Sequence, residues 1–459
     1  MSKQKTRIKI NKGINKSFVH INKTLKYLIT KEIMKIKHLS INNKEIKKEE
    51  DKLFTKIRIK LINIIMINLF LILNLFKVVI CNIYHYNLNR INHFSNITLK
   101  VKGTGYSNIL GHGDSECSSC IFDNNNYPSK IYINGYIKEV SYNYNFVEII
   151  NTVNMIWEGN INTCLFLFRG CTSITEVDLT NFATSGVNDM GNMFYGCTSL
   201  TSVNLSNLDT SNVIYMSCMF QKCSALTFLD LSSFVTSQVK YMNQMFDGCS
   251  SLTSLIISSF DTSNVEEINH MFQGCSSLVS LNVSNFNTSN VKKINGMFNG
   301  CSGLTSLNVS NFKTSSLTDI GGMFYDCASL ISLDLSNFDT SKVEWFCYLF
   351  DGCSNLQFIN LLNFDESKVG EENKYYTNMF TDVPDNVVIC INDINNKNKI
   401  LSQINTKSCP LIDCSDDWKL KRQKIISETG TCINNCTSTY KFENNGKCFE
   451  ECTNYFFFR

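Results

Sequence analysis

At 459 residues the chain is longer than one typical domain, so either several domains or a single solenoid is expected. Hydrophobic residues make up 43% and charged residues 18%, with only three prolines, a balance that excludes a long disordered protein. The net charge of +3 conceals an asymmetry: residues 1–60 hold 18 Lys/Arg against 5 Asp/Glu, and the remainder 25 against 35. The folded part is therefore acidic, which disfavours nucleic acid as a partner because like charge repels phosphate.

In chain order, residues 1–60 read as a basic cytoplasmic tail. Residues 61–81 are an apolar run broken by Asn63, Asn68, Asn74 and Lys77. Positive charge before such a run favours a cytoplasmic N-terminus and export of the residues beyond the run. The run is short for a spanning helix, so a signal anchor, a cleaved signal peptide and a buried core helix all remain open. Residues 82–150 contain the alternating stretches TLKVKGTGYSNIL and SKIYINGYIKEVSYNYNF, expected as a β-rich N-terminal cap.

Residues 151–389 read as a solenoid of 26-residue units whose period is strict from Cys171 to Cys353 and atypical at both ends; downstream, Phe350 to Phe380 is 30 residues. Cysteines at 171, 197, 223, 249, 275, 301, 327 and 353 are each 26 residues apart. One unit, CSSLVSLNVSNFNTSNVKKINGMF from Cys275, is followed in the same frame by CSGLTSLNVSNFKTSSLTDIGGMF from Cys301. Within it Leu278, Leu281, Val283 and Phe286 read as a strand entering a turn, and Val291, Ile294 and Phe298 lie at the spacing of one helix face. The expected fold class is thus α/β, a solenoid of strand-turn-helix coils. Ser289 and its equivalents are expected as helix N-caps. Gly300, with Gly170, Gly196, Gly248, Gly274 and Gly352, is expected to end each helix in a left-handed residue. Lys222 and Asp326 break that rule, which predicts a different ending in two coils. The cysteine ladder and the recurring Met-Phe pairs are expected as core.

The blocks MFYGCTSLTSVNLSNLDTSNV, MFDGCSSLTSLIISSFDTSNV and MFQGCSSLVSLNVSNFNTSNV resemble the BspA-like surface proteins with 26-residue leucine-rich repeats, over residues 164–380. The resemblance implies a leucine-rich-repeat solenoid on a cell surface, often assigned to adhesion, and names no ligand. Curvature into a horseshoe or shallow arc is expected, because stacked helices need more room than stacked strands.

Residues 390–459 hold seven cysteines. Cys409, Cys414, Cys432, Cys436, Cys448 and Cys452 are expected as disulfides in a cysteine-rich tail, since no histidine lies nearby to complete a zinc site.

No catalytic constellation, metal site or cofactor motif stands out, so the chain reads as a binding protein rather than an enzyme. Candidate ligand-binding residues are the outward strand positions Phe228, Asp230, Ile256, Asn282, Asn308 and Asp334, with Phe228 and Ile256 as a diagonal apolar pair on a polar face. Sequons mark Asn96, Asn204, Asn282 and Asn308 as possible glycan sites. The expected role is adhesion or ligand capture: a protein or glycan on another cell or matrix is bound, and residues 61–81 contact the membrane. The alternatives are a structural coat or spacer and a secreted effector.

Overall fold

The computed structural model describes residues 95–112, 118–370, 372, 375–384, 387–391 and 398–403, together with short strands up to residue 449. The expectations for residues 1–60 and 61–81, and for Cys414, Cys436 and Cys452, lie outside the described residues. Among the described residues, no helix is long and apolar enough to cross a membrane.

The N-terminal part is a sheet. Strands β1 (Ser95–Lys102), β3 (Lys130–Ile133), β4 (Tyr136–Lys138) and β6 (Ile150–Trp157) pair antiparallel, with β2 (Gly105–Asn108) and β5 (Asn143–Phe146) as a separate two-stranded antiparallel sheet. In β1 every second residue is buried, so Ile97, Leu99 and Val101 face the core and the polar residues between them do not. The solenoid grows directly from this sheet. Its first strand, β7 (Ile174–Asn181), pairs antiparallel with β1 and parallel with β8 (Ser202–Asn204).

Each subsequent 26-residue coil has two walls. One is a short strand wall: β9 (Phe228–Asp230) pairs parallel with β10 (Ser254–Ile256), and β11 (Ser332–Asp334) with β12 (Phe358–Asn360) and then β13 (Val388–Cys390). The other wall corrects the strand-turn-helix expectation. Residues 294–301 form turns, not a helix, and the molecule is a β-solenoid.

The reason lies in where the backbone hydrogen bonds go. The N–H groups of Ile294, Gly296, Phe298 and Gly300 donate to Asp319, Gly321, Met323 and Tyr325 of the next coil, at 2.7–3.2 Å. Those of Met297, Asn299 and Cys301 close tight turns onto Ile294, Gly296 and Phe298. Alternate N–H groups thus serve the neighbour and the turn, and none is left for a helical bond four residues back. Two left-handed residues per coil enforce this: Gly296 (φ 62°) and Gly300 (φ 69°) in one coil, His270 (φ 57°) and Gly274 (φ 67°) in the coil before. A helix cannot pass through either. The apolar spacing of three and four survives because successive turns also return side chains inward.

The expectations about Lys222, Asp326 and Ser289 are corrected as well. Lys222 (φ 61°) and Asp326 (φ 53°) adopt the same left-handed conformation as the glycines, so all these coils end alike. Ser289 caps no helix. Instead the Asn287 side-chain oxygen accepts the backbone N–H of Ser289 at 3.2 Å, and Asp209, Asp261 and Asp339 do the same for Ser211, Ser263 and Ser341.

Without helices the argument for curvature also falls, because both walls are stacked by backbone hydrogen bonds at the spacing of strands. Between them the core repeats in columns. Val291, Ile294, Met297, Phe298 and Cys301 are fully buried, as are their equivalents in neighbouring coils. From Phe168 to Phe350 the phenylalanines stack ring on ring with centroids 5.2–6.0 Å apart. The cysteines of the 26-residue ladder, Cys171 to Cys353, are unpaired thiols, and each of these from Cys197 onward donates to a phenylalanine carbonyl of the preceding coil, as Cys301 does to Phe272 at 3.0 Å. Burial pushes the Cys249 and Cys301 thiols up to about 12, so they pack as small apolar groups.

Threonines form a further ladder that sequence reading missed. Thr288 is fully buried; its hydroxyl donates to the Lys313 carbonyl and accepts the Lys313 N–H, both at 2.8 Å. Thr210, Thr236, Thr262, Thr314 and Thr340 repeat the arrangement.

The disulfide-rich tail is not upheld. Residues 398–403 form a short helix, and strands at Cys409–Leu411, Lys424–Ile426, Cys432–Ile433, Phe442–Asn444 and Lys447–Phe449 come after it. Those strands include Cys409, Cys432 and Cys448, whose side chains lie outside the described residues. Cys120 and Cys390 are disulfide-bonded; neither is one of the six tail cysteines, and Cys120 belongs to the Cys117-x2-Cys120 stretch whose spacing reads as a local disulfide.

Candidate binding surface

On the strand wall, alternate side chains point away from the core, and the expected column can be followed residue by residue. Phe228 is 53% exposed and lies beside Ser254, while Ile256 is half-buried beside Asp230, which makes the two apolar residues diagonal. Asp230, Asn282, Asn308 and Asp334 are exposed. All four also have a structural task. Their side-chain oxygens accept the backbone N–H of Ser232, Ser284, Ser310 and Ser336 at 2.9–3.0 Å, closing the turn that follows the outward position. Those bonds from Ser232 hold the Asp230 carboxyl below its ordinary range. Ile256 cannot make such a bond, so it departs from its column in structure as well as in polarity.

The face does not stay open to its end. Asn360 is 5% exposed, and Val388 and Cys390, at outward positions of β13, are fully buried with Phe358 packed against them. The open part therefore runs from β7 to β11.

Two further apolar residues belong to it that sequence reading overlooked. Val279 and Ile331 are 57% and 45% exposed, one residue upstream of the strand position, where Thr201, Thr227, Thr253 and Thr305 stand in other coils. Aligning the repeats and asking which column departs from threonine would have found both.

Of the sequon asparagines, Asn204, Asn282 and Asn308 are exposed, whereas Asn96 is half-buried in β1, paired opposite Ile156 and Asn181. His270, the one histidine of the regular repeats, packs over Gly296 with its Nε2 3.1 Å from the Asn295 amide. Among the described residues no group of three His, Cys, Asp or Glu side chains converges as metal ligands would.

The array matches one protein-family model. That family is described as a Mycoplasma protein of unknown function, DUF285, and the match occurs twice in tandem, over residues 162–280 and 268–386. The two matched stretches together span the regular coils and stop near the end of the solenoid. No curated protein and no solved structure matches the chain.

Proposed function

We propose that this chain is a non-enzymatic binding solenoid displayed outside the membrane, which captures a protein or glycan of another cell or matrix on the open strand face. The carrying observation is Phe228, a large apolar side chain 53% exposed on a mostly polar ladder, with half-buried Ile256 diagonal to it. An exposed apolar cluster with a polar rim is the usual anchor of an interface. Export is supported by the basic block that precedes the apolar run at 61–81, and display by the resemblance of the repeat to BspA-like surface proteins. The acidic balance after residue 60 argues against nucleic acid as the partner.

The test is capture of immobilised matrix protein and of cell monolayers by the protein and by Phe228→Ser with Ile256→Asn. Both replacements are what neighbouring coils carry, and Asn at 256 supplies the missing turn acceptor. We expect unchanged unfolding and at least a tenfold loss of capture, the weight of about 1.4 kcal/mol or more that an interface anchor carries. Undiminished capture would remove the face from consideration. A parallel check is protease on intact cells, which should digest the repeats; protected repeats would contradict display. Glycans found on all of Asn204, Asn282 and Asn308 would shield the face and favour a spacer role.

A further inference from the structure

A slot lies on the opposite wall. There the outward ladder position is occupied in successive coils by Asp189, Tyr215, Tyr241, Glu267, Lys293, Asp319 and Trp345, joined by parallel bridges. Two residues further on, neighbouring coils carry Asn243, Asn269, Asn295 and Cys347, and at the next, left-handed position Gln244, His270, Gly296 and Tyr348. The coil between Asn295 and Cys347 instead has Gly321 and Gly322, so two adjacent side chains are missing from one coil alone. A groove of about 410 Å³ lies over them. A Cβ built at Gly322 would meet nothing closer than Tyr325 Cβ at 3.8 Å, whereas one at Gly321 would meet Asp319 Oδ1 and Cys347 Sγ at 3.2 Å, so the open space lies over Gly322.

The two long sides of this slot differ in chemistry. Asn295 and Asn299 line one side, from the preceding coil; Trp345 and Tyr348 line the other, from the next coil. Asp319 and Tyr325 come from the glycine coil itself. The flanking coils are two strand spacings apart, about 10 Å, which leaves room for a single saturated ring between their side chains. The slot is also braced. Trp345 is backed by Tyr375 with centroids 4.5 Å apart, Tyr348 meets Tyr325 edge-on at 6.3 Å, and the Asn295 amide is held at 3.1 Å by His270. One Asp319 oxygen takes the Gly321 N–H at 2.9 Å.

We infer that this slot binds a neutral saccharide, one pyranose ring at a time. Amides that both donate and accept, beside a carboxylate that accepts, match the hydroxyls on one side of such a ring. Aromatic side chains opposite, Trp345 and Tyr348, supply apolar surface for its C–H side, and the pairing of a few convergent polar groups with aromatic lining is the usual make-up of a small-ligand site. A cation is disfavoured by Lys293 at the ladder position next to Asp319. The slot is on the other wall from Phe228, and saccharide binding there stands or falls independently of capture on the strand face.

The experiment uses the full chain with the methyl glycosides of glucose, galactose, mannose and N-acetylglucosamine at millimolar concentration, with saturation-transfer NMR and tryptophan emission as readouts. At least one should bind. Gly322→Asn should weaken it at least tenfold by filling the slot, while unfolding stays unchanged, because Asn192 and Asn378 occupy the same position at φ 54° and 56°. Trp345→Ala should weaken it similarly, and Phe228→Ser with Ile256→Asn should leave it intact. The inference is overturned if no glycoside binds, if binding persists in Gly322→Asn, or if tetramethylammonium binds where the glycosides do not.

Discussion

The turn wall carries an unbroken line of bridges from Asp189 to Trp345, whereas among the described residues the strand wall has no strand at 280–282 or 306–308, between β10 and β11. Both walls keep the same 26-residue frame, so the frame alone does not decide regularity. On the turn wall every second N–H is committed to the next coil, and beneath it lie the stacked phenylalanines and the buried thiols. On the strand wall the inter-coil bonds near the gap are long, as in Thr305 N–H to Val279 O at 3.4 Å, and Leu307 is only half-buried. The densely bonded wall sets the stacking. Outward residues vary on both walls, from Asp189 to Trp345 on one and at Phe228, Ile256, Val279 and Ile331 on the other, so the bonding sets the stacking and leaves the outward side chains free.

If that division holds, truncation should hurt the two walls unequally. Phe272→Ala opens a cavity in the middle of the ring stack and should cost about 3–5 kcal/mol, against about 2 kcal/mol for Leu281→Ala, whose neighbours can close in. Denaturant unfolding of both variants compares them directly, and equal costs would break the distinction. Next in size is Thr288→Val, which leaves the Lys313 N–H and C=O without their shared hydroxyl; an expected loss of about 1–3 kcal/mol in the same measurement reflects unsatisfied buried groups.

A gain is expected at Lys222. Its left-handed backbone strains a Lys side chain, unlike Gly or the Asn that tolerates this region at Asn192 and Asn378, so Lys222→Gly should raise stability by about 1 kcal/mol, seen as a higher unfolding midpoint. The smallest effect concerns pH. The hydroxyl and backbone N–H of Ser211, Ser263 and Ser341 hold the carboxyls of Asp209, Asp261 and Asp339 below their ordinary value. A depressed carboxyl stabilises the fold above the unfolded value near pH 4 and loses that contribution as pH falls through its folded value. Replacing the three by Asn, which already performs this turn at Asn287, should flatten the fall in stability between about pH 5 and pH 2. An unchanged pH profile would show that these turns contribute nothing measurable.

Much of the architecture was legible in the linear chain. The 26-residue spacing of Cys275 and Cys301 fixes which residues stack, and the apolar positions Val291, Ile294 and Phe298 point inward in any regular coil that keeps the frame. The outward ladder of Asp230, Asn282 and Asn308 came from alternation alone. What these side chains do besides facing outward did not, because an Asn that closes a turn and an Asn that awaits a ligand have the same sequence signature.

Val291, Ile294 and Phe298 also mark the limit of local reasoning. Their spacing fits a helix face, and a helix would have satisfied the segment from within itself. The choice against it is made by acceptors 25 residues away: Asp319, Gly321 and Met323 take the bonds that a helix would have closed locally. The slot over Gly321 and Gly322 arises in the same way, since two glycines become a groove only when Asn295 and Trp345 stand on either side. Sequence periodicity determines which residues share a column, because that depends only on counting along a covalent chain. Which backbone groups pair, and which spaces stay empty, depends on neighbours that only the stacked coils bring together.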